Sequence, residues 1–217
     1  MVLEFNRFCV GEVDVLGIVH VVDDDASFRT AIQRRLQIAG YEVATYPDAR
    51  QFLSRAHVEE EPSCLLLDVK IPDFSGLELQ SQLNAIGSSI PIIFLTGHPD
   101  IRTSVNAVKA GAEDFLTKPV SSENLLQAVK LAISHHQLAI ERKSRRSHLQ
   151  ALASSLTPRE LQVFHLVIQG KINKQIAHEL GTTERTIKAH RHQVMEKMKV
   201  KSVAELVSIA ERLGIVD

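Results

Sequence analysis

A chain of 217 residues with 44% hydrophobic and 24% charged residues has the composition of a soluble globular protein, one large domain or two small ones. Its two cysteines, Cys9 and Cys64, stand far apart and without metal-ligand spacing, which argues against a disulfide framework and for a reducing compartment. A formal net charge of −1 excludes a uniformly basic nucleic-acid binder, and no apolar run is long enough to span a bilayer.

Residues 1–16 carry Glu4, Glu12 and Asp14 and no basic leader, so they read as a short extension rather than a signal peptide. From there strands and helices alternate. "IVHVV" (18–22) is a strand, and "SFRTAIQRRLQIAG" places Phe28, Ile32, Leu36 and Ala39 on one helix face before Gly40. "YEVATY" is a strand and "PDARQFLSRA" a helix. "CLLLDV" is apolar throughout, as a strand covered on both faces must be, and it makes Cys64 a core residue. "SGLELQSQLNAIG" opens with Ser75 and Glu78 in capping-box spacing. "IPIIFLT" is a buried strand, "IRTSVNAVKAG" a helix, "DFLT" a short last strand, and "SSENLLQAVKLAISHH" begins a long helix. Five βα units in succession predict a doubly wound α/β domain with a five-stranded parallel sheet.

In such sheets the site lies beyond the carboxyl ends of the strands. Those ends carry Asp23 and Asp24, Asp68, Thr96 and Lys118. Carboxylates about 4 Å apart repel by ~4 kcal/mol at an effective dielectric near 20. A hard divalent cation among them, Mg²⁺ (or Mn²⁺), removes that cost. Acids with one Lys and one Thr suit phosphoryl transfer, with a carboxylate as nucleophile and cations neutralising the phosphoryl oxygens. Asp68, closing a central strand, is the candidate nucleophile. Asp24 is a direct metal ligand, Asp23 a ligand through water, and the Lys70 carbonyl a further one. Thr96 and Lys118 hold the phosphoryl oxygens. Taken alone, each strand-end Asp is as well explained by a solvated turn, and Asp25 by a helix cap.

The strings "VVDDD", "LLLDVKIPDFSGLEL", "IIFLTGH" and "AGAEDFLTKPV" resemble the receiver domain of two-component response regulators over residues 17–133. The resemblance implies a CheY-like fold, phosphorylation of Asp68 by a partner histidine kinase, and a cis Lys118–Pro119 bond. It also implies a switch pair, Thr96 and Phe115, and a phosphorylation-induced homodimer through Ile101, Val105, Lys109 and Ala112. Haloacid-dehalogenase-like phosphatases use the same kind of nucleophile. They need a second acid two residues on, where this chain has Lys70.

The charge is divided along the chain. Residues 1–133 hold 11 Lys/Arg against 18 Asp/Glu, residues 134–154 four against one, and residues 155–217 ten against seven. An acidic front and a basic back indicate two modules with different partners. The stretch 134–154 is basic, lacks Pro and Gly, and reads as a helical linker that extends the last helix of the first module. "LTPREL" then opens a helix with Thr157 as N-cap, Pro158 at the first position and Glu160 completing a capping box; Leu161, Phe164, Val167 and Ile168 form its inner face. "NKQIAHELG" is a short helix, and "TTERTIKAHRHQVMEKMKV" a third, capped by Thr182 or Thr183, with Ile187, Val194, Met195 and Met198 inward. "SVAELVSIAERLG" opens with a Ser202–Glu205 box.

Two short helices around a Gly-containing turn form a helix-turn-helix pattern. Arg185, Lys188, His192 and Lys199 make a basic stripe on the third helix. Lys188 and Ala189 are placed for base edges in the major groove. Lys174, Arg191, Lys197 and Lys201 are placed for phosphates. Within a second domain at 155–217, residues 155–215 resemble the LuxR/FixJ/NarL-type DNA-binding domain, and the long linker with "TPRE" resembles the FixJ/StyR/TodT branch. The resemblance adds Thr183 and Arg185 to the DNA contacts and assigns Val203, Leu206 and Ala210 to a dimer face. It makes Glu160 and Glu184 structural. It also implies promoter DNA, RNA polymerase and a sensor histidine kinase as partners, no membrane association, a bacterial cytoplasmic setting, and no enzyme activity beyond the domain's own phosphotransfer and slow autodephosphorylation. A DNA-binding protein with a vestigial receiver is the remaining alternative.

Overall fold

The computed structural model describes residues 16–54, 61–71, 74–97 and 101–215, which divide at Ile140/Glu141 into two compact units. In the first, strands β1 (Ile18–Val22), β2 (Glu42–Tyr46), β3 (Ser63–Asp68), β6 (Ile92–Thr96) and β7 (Asp114–Thr117) form one parallel sheet in the order β2-β1-β3-β6-β7. The helices are α1 (Ala26–Ile38), α2 (Ala49–Ser54), α3 (Gly76–Ala85), α4 (Ile101–Lys109) and α5 (Ser122–Ser154). The order matches the five predicted βα units. It reverses direction at β1/β3, where ligands of such sheets bind. A two-residue ladder, β4 (Lys70–Ile71) with β5 (Phe74–Ser75), was not anticipated: it is too short for any periodicity to register.

Alternation along the buried strands builds two apolar layers. Cys64 and Leu66 of β3 face one side with Val19, Val21, Ile93 and Leu95. There they meet Ile32 and Leu36 of α1 and Leu125, Val129 and Ile133 of α5. Leu65 and Leu67 face the other side with Val22 and Phe94, against Phe52, Leu79, Leu83 and Ala107. The Cys64 thiol is buried, and that burial pushes its pKa upward.

Local signals hold where backbone groups need partners. Asp25 caps α1, accepting from the Ser27 and Phe28 amides at 2.8 and 3.1 Å. Ser75 and Glu78 make both bonds of the capping box on α3. The first residue of that helix, Gly76, has no room for a side chain: a Cβ would stand 2.6 Å from the Asp68 carbonyl and 3.0 Å from the Phe94 ring. The linker stretch 134–154 continues α5, as expected, in a single helix of 33 residues. His136 on it is buried and accepts from the Ser63 backbone N–H at 2.9 Å, which fixes the helix to the start of β3.

In the second unit, α6 (Pro158–Ile168), α7 (Asn173–Glu179), α8 (Glu184–Lys197) and α9 (Val203–Leu213) enclose a core of Val163, Phe164, Val167, Ile176, Ile187, Val194, Met198, Leu206 and Ala210. The inner face of α6 differs from the expected one. Val163 and Leu166 are buried, whereas Leu161 is 39% exposed, because α6 meets α8 and α9 together and the inward arc widens on the other side. Leu206 and Ala210, expected on a dimer face, are fully buried beneath α6, so they are core residues; Val203 packs at the edge of the same core. Thr183, not Thr182, caps α8. Lys199, expected on the helical stripe, lies past the helix end with φ +53°.

The capping box at the start of α6 is tied to α8. Thr157 N–H donates to Glu160 Oε2 at 2.7 Å, Glu160 N–H donates to Thr157 Oγ1 at 3.3 Å, and Lys197 Nζ donates to the same Oε2 at 2.6 Å. The Lys197 ammonium first, and then the Thr157 amide, hold the Glu160 carboxyl down to about 2. A folded pKa below the ordinary value of 4.5 means that this contribution is complete above about pH 4.5 and is lost as pH falls from there toward 2. Glu160→Gln should therefore lower the melting temperature of the C-terminal unit at neutral pH, and the gap from wild type should shrink as thermal melts are run below about pH 4.5. A gap independent of pH would show that charge is not what Glu160 contributes. Gly76→Ala should cost about 1–3 kcal/mol in denaturant unfolding of the N-terminal unit, since the new methyl must displace the Asp68 backbone.

Candidate functional site

The strand ends deliver the acidic residues to one place. Asp23 follows β1 and is fully buried; Asp24 beside it is exposed; Asp68 ends β3 and is 9% exposed. One carboxylate oxygen from each lies within 4.8 Å of the others. Lys118, just past β7, reaches between two of them, with Nζ 2.5 Å from Asp23 Oδ2 and 2.8 Å from Asp68 Oδ2. The same ammonium lies 4.1 Å from the centroid of the Phe28 ring, which adds a cation–π contact. The peptide bond to Pro119 is cis, as the resemblance implied.

The second oxygen of each buried acid has its own donor. Asp25 N–H donates to Asp23 Oδ1 at 3.0 Å, and Lys70 N–H donates to Asp68 Oδ1 at 3.1 Å. Burial raises the pKa of Asp23 above its ordinary value, against the opposing pull of Lys118. Burial also works to lower that of Lys118, but the hydrogen bonds and charges of Asp23 and Asp68 outweigh it and the net shift is upward. The site is thus a buried charge triad with an exposed acid, Asp24, at its rim. Three hard oxygen donors in this arrangement fit a divalent cation of the Mg²⁺ class.

Thr96 ends β6, is 3% exposed, and accepts at its carbonyl from Lys118 N–H at 2.7 Å. Phe115 pairs in register with Phe94 and is half-buried, its ring 6.2 Å from the Phe94 ring. On α4, Val105 is 45% exposed and Lys109 is exposed, while Ala112 packs against the core layer and is not a free surface residue. The Ile101 side chain lies outside the described residues. Val108, 56% exposed and not anticipated, completes an apolar pair with Val105. Sequence periodicity did not single it out because it belongs to no buried face.

In the second unit, Gly181 (φ +61°) turns the chain between α7 and α8. Arg185, Lys188, Ala189 and His192 are exposed along α8, as are Lys174 on α7, Lys201, and the capping Thr183. Two of the expected phosphate contacts are otherwise engaged. Lys197 is held by Glu160 and the Ser155 carbonyl, so its role is in the unit's own packing. Arg191 is half-buried and donates to Asn173 Oδ1 at 3.1 Å, joining α8 to α7. Sequence reasoning missed Arg159, whose guanidinium donates to the Leu180 carbonyl at the end of α7. The string "TPRE" marks a helix start but says nothing of what the arginine reaches.

Two family descriptions match the chain: "Response regulator receiver domain" over residues 19–130 and "Bacterial regulatory proteins, luxR family" over residues 154–210. The chain is 42% identical to the response regulator protein TmoT of Ectopseudomonas mendocina over 200 residues, 92% of this chain and 90% of that one. It is also 42% identical to nodulation protein W of Bradyrhizobium diazoefficiens, covering 94% and 89%. Among solved structures, the response regulator StyR superposes with a TM-score of 0.83 at 45% identity, over 90% of this chain and 98% of that one. Full-length FixJ from B. japonicum superposes with a TM-score of 0.56 at 36% identity, over 94% and 100%. An α/β receiver with a buried Asp–Lys–Asp triad, followed by a helix-turn-helix unit, places this chain among the two-component response regulators of the FixJ/NarL type, with a LuxR-type DNA-binding domain.

Proposed function

We propose that Asp68 is the phosphoacceptor, receiving the phosphoryl group from a sensor histidine kinase, and that the protein acts as a phosphorylation-controlled transcription regulator in the bacterial cytoplasm. The observation that carries this reading is Lys118 Nζ bridging Asp68 and Asp23. An ammonium already 2.8 Å from the acceptor oxygen is placed to hold a phosphoryl oxygen once the group has transferred. Asp68 Oδ2 is the attacking atom, its partner oxygen being steadied by the Lys70 amide. Thr96 supplies a hydroxyl to the transferred group, and Phe115 follows it inward. Asp23, Asp24, Asp68 and the Lys70 carbonyl would hold Mg²⁺ (or Mn²⁺), which supplies charge neutralisation to the phosphoryl oxygens when bound. The domain turns over no external substrate; it catalyses its own phosphotransfer and slow hydrolysis.

The added charge, roughly −2 with three acceptor oxygens, shifts the receiver toward a state that dimerises through α4, with Val105 and Val108 at its exposed apolar surface. Pairing raises the affinity of two small DNA-binding units for adjacent half-sites through effective concentration. Lys188 and Ala189 read bases, Lys174, Arg185, His192 and Lys201 contact the backbone, and RNA polymerase is the final partner at the promoter.

Incubation with acetyl phosphate and Mg²⁺ should label the wild type with an acyl phosphate and leave Asp68→Asn unlabelled. Labelling that persists in Asp68→Asn would refute the assignment. Sedimentation of the same samples should show the labelled wild type moving from monomer toward dimer, and an unchanged profile at full labelling would remove the dimerisation step. For DNA, Lys188→Ala should cost about 1–3 kcal/mol on a specific site and relax one base position. Lys174→Ala should weaken specific and random duplexes alike. Equal loss on both duplexes for both variants would show that Lys188 does not read bases.

A further inference from the structure

The C-terminal unit begins at Glu141, before its four-helix core, with the last four turns of α5. Residues 141–217 hold 14 Lys/Arg against 8 Asp/Glu, and the eight residues "ERKSRRSH" (141–148) hold four against one. That short stretch therefore carries half of the unit's net charge of +6. Every residue from Glu141 to His148 is exposed.

The placement of these charges is not explained by the helix itself. Arg142 and Arg146 stand four residues apart, where like charges weaken a helix. Arg145 meets Glu141 at 3.6 Å across an exposed face, a pair worth little. At 3.6 residues per turn, Arg142, Lys143, Arg145 and Arg146 fall within an arc of roughly 160°. Leu149, Leu152 and Ala153 lie within or next to that arc, and Leu152 and Ala153 pack on the core formed by α6–α9. The cationic face is thus the continuation of the face by which α5 joins the DNA-binding unit. Within that unit, Lys197 is held by Glu160 and Arg191 by Asn173, which leaves the helix-turn-helix with fewer cations for phosphates than its composition suggests.

We propose that residues 142–146 of α5 are a second DNA-backbone contact, in which Arg142, Arg145 and Arg146 bind phosphates of the duplex flanking the base pairs that α8 reads. The contact is electrostatic and sequence-independent, with guanidinium groups suited to phosphate oxygens. It rests on the DNA-binding assignment of this unit and extends it to a segment outside the helix-turn-helix.

The test is the salt dependence of full-length protein binding to a random-sequence duplex of about 40 base pairs, followed by fluorescence anisotropy. Each phosphate contact contributes about 0.9 to the slope of log K against log salt. The triple variant Arg142→Gln/Arg145→Gln/Arg146→Gln should lose roughly 2–3 from that slope, with glutamine keeping the helix. The corresponding triple lysine variant should keep the slope. An unchanged slope in the glutamine variant would overturn the proposal while leaving the DNA-binding assignment intact. Equal losses in the glutamine and lysine variants would also overturn it, because charge would not be what was lost. Failure of the wild type to bind any duplex would remove the DNA-binding assignment and this contact together.

Discussion

The ammonium of Lys118 between the carboxylates of Asp23 and Asp68 is the interaction on which the receiver's design turns. Two acids brought this close and this deeply buried repel each other strongly in a medium of low dielectric, and burial alone raises the pKa of Asp23. One cation shared between them makes the cluster stable. Each participant comes from a different strand: Asp23 from the end of β1, Asp68 from β3, Lys118 from the residue after β7. The cluster therefore exists only once the sheet order β2-β1-β3-β6-β7 is complete. Conversely, the apolar layers on both faces of β3 leave the strand ends as the place where charged groups converge.

Supporting contacts hold the triad's backbone in place. The Lys70 amide binds Asp68, the Asp25 amide binds Asp23, and the Arg29 guanidinium donates to the Asp23 carbonyl. Gly76 lets α3 start against the Asp68 carbonyl, where any side chain would collide. Thr96 at the end of β6 and Phe115 on β7 stand in neighbouring strands beside this frame.

The C-terminal unit uses the same economy on a smaller scale. One four-residue string, Thr157 to Glu160, caps α6, closes the end of α7 through Arg159, and holds the end of α8 through Lys197. The orientation of the exposed face of α8 thus depends on a helix that does not carry that face. Arg191 to Asn173 adds a direct tie between α7 and α8.

The sequence by itself determined the alternation of strands and helices, the residues at the strand ends, the caps at Asp25, Ser75, Thr157 and Ser202, and the basic stripe of α8. These are local matters: hydrophobic period, capping chemistry and strand length are written in contiguous residues. It also identified Asp23, Asp24, Asp68, Thr96 and Lys118, because parallel topology sends strand ends to one edge. Tertiary structure decided what depends on long-range partners. Lys197 and Glu160 are 37 residues apart, so no local pattern distinguishes a lysine paired with Glu160 from one available to phosphate. Leu206 and Ala210 have the spacing of an exposed dimer stripe and of a core stripe alike, and only the packing of α9 on α6 makes them core. The same holds for Leu161, whose outward position follows from the angle at which α6 meets two helices at once. The linker's helical nature and its continuity with the last receiver helix were legible from its lack of Pro and Gly, but the contact that holds that helix was not: His136 is fixed there by Ser63, a residue 73 positions earlier in the chain.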